Sequence, residues 1–301
     1  MITYNPKDWF TFIFRIHRYE TFRQLIPLMI GLSVYAGLIT YFEFDLFFSA
    51  DSKELTRSIS TIFSILGFTL SLMLVFRTNS AYDRWWEGRK QWGDLTNASR
   101  AFAAHLNGIL DGSALQERRK ITALMSTFAY ALRFHLKGEK MQRTSLTNEL
   151  DEHHLVHFID LFEQASHQPM AIYKELVDFV YALKAAGKIT DQDMYVIKSD
   201  LNRMIEVCGA CERIRSTPIP FSYSAFLKKF IFFYVMLFPL IYAMHMSYFI
   251  IPVTVFILYV LSSIELIAEE IENPFDDAPN DLPTFKMAKN IAVNVKMILD
   301  K

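Results

Sequence analysis

From Phe230 to Ile264 the chain carries no Asp, Glu, Lys or Arg. As a single helix this stretch would be about 50 Å long, whereas the hydrocarbon core of a bilayer is about 30 Å thick and takes roughly 20 apolar residues at 1.5 Å each. It therefore reads as two spans that turn near His245 to Pro252. Pro239 and Pro252 leave open whether these are full spans or a broken pair. Two shorter charge-free stretches match one crossing apiece: Gln24 to Phe42, between Arg23 and Glu43, and Ser58 to Phe76, which ends at Arg77.

Four spans place both termini on one side of the membrane. Lys7, Arg15, Arg18 and Arg23 precede the first span; Arg77, Arg84, Arg89 and Lys90 follow the second; Lys228 and Lys229 precede the third. The opposite loops hold only Lys53 and Arg57. By the positive-inside rule, both termini and the long middle segment are cytoplasmic, in a multi-pass protein of the inner cell membrane. The opening "MITYNPKDWFTFIFRIHRYETFRQ" mixes polar and aromatic groups and has no small-residue cleavage site, so no removable signal peptide is expected. The resulting division is an N-terminal segment with two spans over 1–76 (about 24–42 and 58–76), a helical cytosolic domain over 77–227, two more spans over 228–267 and a cytosolic segment over 268–301.

Composition agrees with a membrane part joined to a water-exposed part, since 52% of residues are hydrophobic yet 21% are charged, close to the ordinary quarter. The net charge of −1 excludes the basic footprint of a nucleic-acid binder. The middle segment reads as helix throughout. Ile121, Leu124, Met125, Phe128 and Leu132 form one apolar stripe, and Leu176, Phe179, Val180 and Leu183 form another. Breaks are expected at Gly108 to Gly112, Gly138 to Asn148, Gln168 to Pro169 and Ala186 to Asp191. The fold class is all-α.

In the second span Phe68, Leu72 and Phe76 recur at i, i+4 and i+8, with Gly67 and the hydroxyls of Thr61, Ser64, Thr69 and Ser71 around them. Such a stripe serves either ordinary packing against lipid or protein, or the lining of a pore, and a pore needs several copies in symmetric array. The pair "CGAC", Cys208 and Cys211, has a spacing used by redox and zinc sites, but no second pair and no nearby His complete four ligands, so it reads as structural. His153 and His157 lie one helical turn apart and read as a solvated face. Of the carboxylates leaving the last span, Glu265, Glu269, Glu270 and Glu272, only Glu265 is deep enough to need a partner. Asp276, Asp277, Asn280 and Asp281 are hard oxygen donors in a proline-rich turn, the candidate cation site of the chain. No nucleophile elbow, zincin motif or phosphate loop occurs, so neither an enzyme nor a cofactor is expected, and His245 with Glu265 makes only a sparse alternative.

Three separated segments, "FRTNSAYDRWWEGRKQWG", "CERIRSTPIPFSY" and "IENPFDDAPNDLP", resemble those of bestrophins, particularly the compact bacterial branch, in the same order along nearly the whole chain. The resemblance implies a homopentamer of helical protomers in the bilayer, with one pore on the five-fold axis that continues through a cytosolic vestibule. It implies a membrane neck of three apolar residues on the second span, which match Phe68, Leu72 and Phe76, the stripe found by periodicity. A second, cytosolic aperture follows the pattern seen here as "GKITD", and its position is Gln192, where relatives carry an aliphatic residue.

The function this implies is a channel for small monovalent ions, gated by dewetting of the neck. Anions such as chloride are favoured if the phenyl edges of Phe68 and Phe76 face the pore and if Arg77 and Arg84 line the vestibule below it. The alternative for these two arginines is pairing with Asp83, Glu87 or acids such as Glu265. A cation (sodium) channel is the second reading, because the family contains both kinds, and a membrane scaffold or enzyme is the third. Asn273, Pro274 and Phe275 match the calcium-binding turn of eukaryotic members, but Ala278 and Pro279 interrupt its acids, so no high-affinity calcium clasp is expected.

Overall fold

A computed structural model describes residues 21–46, 52–146 and 158–300. Among these residues there are helices and turns and no strand. The α-helices in chain order are α1 (Thr21–Leu46), α2 (Ser52–Ile109), α3 (Leu115–Lys137), α4 (Ile159–Gln164), α5 (Gln168–Ala185), α6 (Asp191–Ser216), α7 (Phe221–Met246), α8 (Ile250–Glu272) and α9 (Thr284–Leu299). The described residues divide into two compact units, one within 21–84 and 218–272, the other within 85–217 and 273–300.

In the first unit the long charge-free run is two helices, as expected, but neither proline makes the break. Pro239 lies inside α7 and Pro252 in the first turn of α8, where a missing N–H is tolerated. The chain turns through a short 3₁₀ segment, Ser247–Phe249, whose first residue takes a left-handed φ of 49°. Lys228 near the start of α7 pairs with Glu269 near the end of α8 at 2.7 Å, so the two helices run antiparallel. Against them pack α1 and the first part of α2 around Leu32, Leu70, Leu74, Leu227, Ile231, Val235 and Leu258. Polar ties add to this packing: Tyr35 Oη donates to Met236 O at 3.1 Å and Tyr223 Oη to Met73 O at 2.9 Å. Three stretches, Thr21–Phe42, Ser58–Ile109 and Phe221–Glu272, are long and apolar enough to cross a membrane. The apolar side chains on their outer faces, among them Ile30, Val34, Phe233 and Phe256, are 59–64% exposed, as helices need when they meet lipid or neighbouring chains in place of water.

The second unit has a larger core centred on α3, whose stripe Ile121, Leu124, Met125, Phe128 and Leu132 is buried against α5, α6 and α9. Leu176, Val180 and Leu183 of α5 are buried with it, and Phe179 partly so. On α9, Ala288, Ile291, Val295 and Leu299 repeat at three and four residues and close the core. The helix ends fall where the breaks were expected, each with a local cause. Gly138 closes α3 in a left-handed conformation, φ 80°, and its N–H donates to His135 O. Thr190 and Asp193 form a reciprocal capping box at the start of α6. The buried Arg118 donates to the carbonyls of Asn107 and Leu110, which would otherwise be orphaned at the end of α2.

Candidate functional site

The stripe Phe68, Leu72 and Phe76 points away from its own unit. These residues are 72%, 45% and 59% exposed, while Phe63, Leu70, Leu74, Arg77 and Ala81 on the opposite face are 3% exposed or less. Ordinary packing within one chain therefore does not account for the stripe. At 1.5 Å per residue it is about 12 Å long from Phe68 to Phe76. Three of the hydroxyls around it turn back on the helix: Ser64, Thr69 and Ser71 donate to the carbonyls of Ser60, Ile65 and Gly67. Gly67, on the packed side, lets Tyr234 approach: a Cβ there would lie 2.5 Å from the tyrosine Oη.

Immediately after the stripe the helix buries a charge. Arg77 is 1% exposed, with Nη2 2.7 Å from Glu272 Oε2 and Nε 3.4 Å from Glu265 Oε2. The first contact is a charge-assisted hydrogen bond; the second is a close ion pair without one. Glu272 also accepts the Ile219 N–H at 2.6 Å and, through its carbonyl, Arg84 Nε at 3.0 Å. For Arg77 the arrangement within the chain is the alternative of pairing with acids: Glu265 and Glu272 compensate its charge, and Glu265 finds in it the partner its depth required. Arg84, half-buried, is drawn to the end of α8 by the same glutamate's carbonyl. The sparse pair His245 and Glu265 is not assembled, since Glu265 lies about 22 Å along α8 from the turn beside His245.

In the second unit, Gly88 of the "WWEGRKQWG" segment makes room for the turn that follows α8. A Cβ on Gly88 would stand 3.1 Å from the Phe275 ring and 3.2 Å from Pro274. Trp85 Nε1 donates to Asn280 O at 3.0 Å, which ties the same two segments again. These contacts are why the two motifs belong together. The family model described as "Bacterial/Fungal Bestrophin protein" matches residues 1–297. The chain belongs to the bestrophin family.

Among relatives of this bestrophin, a voltage-dependent anion channel-forming protein of Nostoc sp. is 32% identical over 236 residues, 77% of this chain and 75% of the relative. One of Salmonella typhi is 30% identical over 241 residues, 79% of this chain and 76% of the relative. A bacterial bestrophin homologue from Klebsiella pneumoniae, solved as a point variant, superposes with a TM-score of 0.79 at 25% identity, covering 92% of this chain and 100% of its own.

The turn after α8 uses its acids on protein. Asp277 binds Arg133 Nη2 at 3.1 Å and Lys137 Nζ at 2.8 Å, and Asp281, 1% exposed, accepts the Ala278 N–H at 2.7 Å. The hydrogen bond from Lys137, joined by the Arg133 charge, holds the Asp277 carboxyl below the usual range despite partial burial. Asp276 and Asn280 are exposed. Gln192 is exposed in the first turn of α6, two residues after the Thr190 cap. Cys208 and Cys211 are free and buried, and burial pushes the Cys208 thiol up to about 12 and that of Cys211 higher still, so both behave as apolar core. His153 and His157 lie outside the described residues. A group that sequence reading missed is His135, His167 and Glu212, whose ligand atoms lie within 4.8 Å of one another. The three are spaced 32 and 45 positions apart and share no common motif; the sequence signal is a His placed directly before the Gln168–Pro169 helix start.

Proposed function

We propose that this bestrophin is one subunit of a homopentameric ion channel of the inner cell membrane, with Phe68, Leu72 and Phe76 from five copies forming the neck. The observation that carries the reading is the outward stripe on a helix whose other face is packed: it leaves three large apolar side chains exposed, which five copies would bring together as three apolar rings. Stacked on an axis, such rings expel water, and an ion that must shed its hydration meets a barrier until they separate. Four spans, α1, the first part of α2, α7 and α8, bring both termini to the cytosol, and residues 77–227 with 268–301 form the cytosolic part. Gln192 then stands at the cytosolic aperture and keeps it wet.

Chloride or another small anion is the favoured permeant ion. Two features support this: the naming of the curated relatives as anion channel-forming proteins, and phenyl edges, which are positive, at two of three neck positions. The compensation of Arg77 by Glu265 and Glu272 removes one cationic contribution, so selectivity rests more on the neck than on the arginines. That same observation keeps a sodium-selective channel as the second reading.

The test uses purified protein in planar bilayers. Replacing Phe68, Leu72 and Phe76 together with Ala raises conductance severalfold by widening and wetting the neck. Unchanged current in the triple variant would count against the neck, and the reversal potential in a chloride gradient reads the selectivity directly.

A further inference from the structure

We propose that His135, His167 and Glu212 form a binding site for a divalent transition cation of the zinc class. The three come from different elements of one unit: His135 from the last turn of α3, His167 from the cap position of α5 and Glu212 from α6. His135 Nε2 lies 2.8 Å and His167 Nε2 2.7 Å from the same carboxylate oxygen, Glu212 Oε1, and the two rings have centroids 4.3 Å apart. All three side chains are 28–37% exposed, so a cation can reach them from solution.

The donor set selects the cation. Two imidazoles and one carboxylate suit zinc and its neighbours in tetrahedral sites that keep the fourth position for water, whereas calcium and magnesium take six or more oxygens. Bonds of about 2.0–2.1 Å in that geometry put neighbouring ligand atoms about 3.3 Å apart. Each histidine Nε2 needs to move only about 0.5 Å further from Glu212 Oε1 than its present 2.7–2.8 Å to meet that spacing. Backbone and side-chain anchors already hold the ligands. Arg215 donates to His135 O at 2.8 Å, and the buried Gln168 side chain, next to His167, bonds both the N–H and the carbonyl of Met141. The Cys208 thiol, one turn before Glu212 and 3.8 Å from Oε1, is placed to donate to the carboxylate and orient it.

One contact opposes binding and makes the site recognisable. His167 Nδ1 accepts the Met170 N–H at 3.2 Å, so without a cation its Nε2 carries the proton and donates to Glu212. A cation on Nε2 displaces that proton, Nδ1 becomes protonated, and the cap of α5 is lost. The loss of a cap weakens binding by about tenfold, which a two-imidazole, one-carboxylate site tolerates.

The full chain, purified in detergent and stripped with a chelator, is titrated with Zn²⁺ by calorimetry and with Co²⁺ by visible absorption. One equivalent per chain is expected, with a tetrahedral cobalt spectrum. His135→Gln and Glu212→Gln each weaken binding by about tenfold or more, and His105→Gln, at the separate His105–Asp200 pair of the same unit, leaves it unchanged. Wild-type protein that binds Zn²⁺ no more tightly than Glu212→Gln overturns the site, and equal weakening in His105→Gln overturns the assignment to these three ligands. Either ligand variant could fail to fold, so wild-type thermal unfolding is followed as well: a Tm that rises with Zn²⁺ supports the site, and a Tm that does not overturns it. These readouts need no current and stand apart from the channel test.

Discussion

Arg77 Nη2 sits 2.7 Å from Glu272 Oε2 with the arginine side chain 1% exposed, one residue beyond the exposed Phe76. A single helical step thus separates a face that meets the outside of the chain from a buried ion cluster that holds α2 to α8. Two carboxylates, Glu265 and Glu272, surround one guanidinium, so the cluster depends on that cation.

Removing it leaves buried charge uncompensated, which costs about 3–5 kcal/mol. Arg77→Met is therefore expected to lower the thermal midpoint sharply in detergent-purified protein. Arg77→Lys recovers only part of the loss, because an ammonium cannot present the guanidinium's fork to two acids. A wild-type midpoint in Arg77→Met would show that the cluster contributes nothing to stability.

Gly67 sets a second dependence. Alanine in its place gains helix propensity of about 1 kcal/mol, but its Cβ would stand 2.5 Å from Tyr234 Oη. Tyr234 cannot retreat freely, since its ring is stacked on buried Phe63 at 4.1 Å and 9°. Overpacking of this kind costs about 1–3 kcal/mol, so the clash outweighs the propensity. Gly67→Ala is expected to be less stable than wild type, and Gly67→Val less stable again. A higher melting temperature in Gly67→Ala would mean that the α2 and α7 contact yields without strain.

Asp277 supplies the pH dependence. Its folded carboxyl is depressed, so its contribution is present above the unfolded value of about 3.9 and is lost as pH falls through the lower folded value. Lys137 is raised by hydrogen bonds to Asp277 and Glu139, so its contribution is full below about 10.4 and is lost as pH rises through the folded value. Because Asp277 is 57% exposed, solvent screening limits the pair to about 1 kcal/mol or less. Denaturant titrations of wild type and Asp277→Asn should differ by a constant amount between roughly pH 5 and 9 and begin to converge as pH falls below about 3.9 toward the lower folded value. A difference that does not shrink as pH falls below about 3.9 would assign the effect to packing instead of charge.

Much of the architecture is legible in local pattern. The apolar stripes of α3 and α5 point into the core because side chains three and four residues apart share a helix face, whatever the helix packs against. The break of the long apolar run within 245–252 follows from its length against the bilayer alone. Its cause is not legible there: Ser247, not a proline, takes the left-handed turn. The candidate metal-binding group shows the opposite case. The sequence offers His153, His157 and the Asp276–Asp281 turn as ligand-like clusters, yet it is Asp277 that goes to Arg133 and Lys137, while His135, His167 and Glu212 meet from three separate helix ends.

Where the helices run, which stretches match a membrane, and the shared face of Phe68, Leu72 and Phe76 can all be read from the order of residues, since each follows from a repeat of 3.6 residues and 1.5 Å rise. That this face is left outward, that Arg77 is held by Glu265 and Glu272, and that two histidines share one carboxylate are outcomes of packing between helices. Those outcomes depend on the register in which helices far apart in the chain pack, and a shift of one residue, about 100° around a helix, would have made other partners of the same side chains.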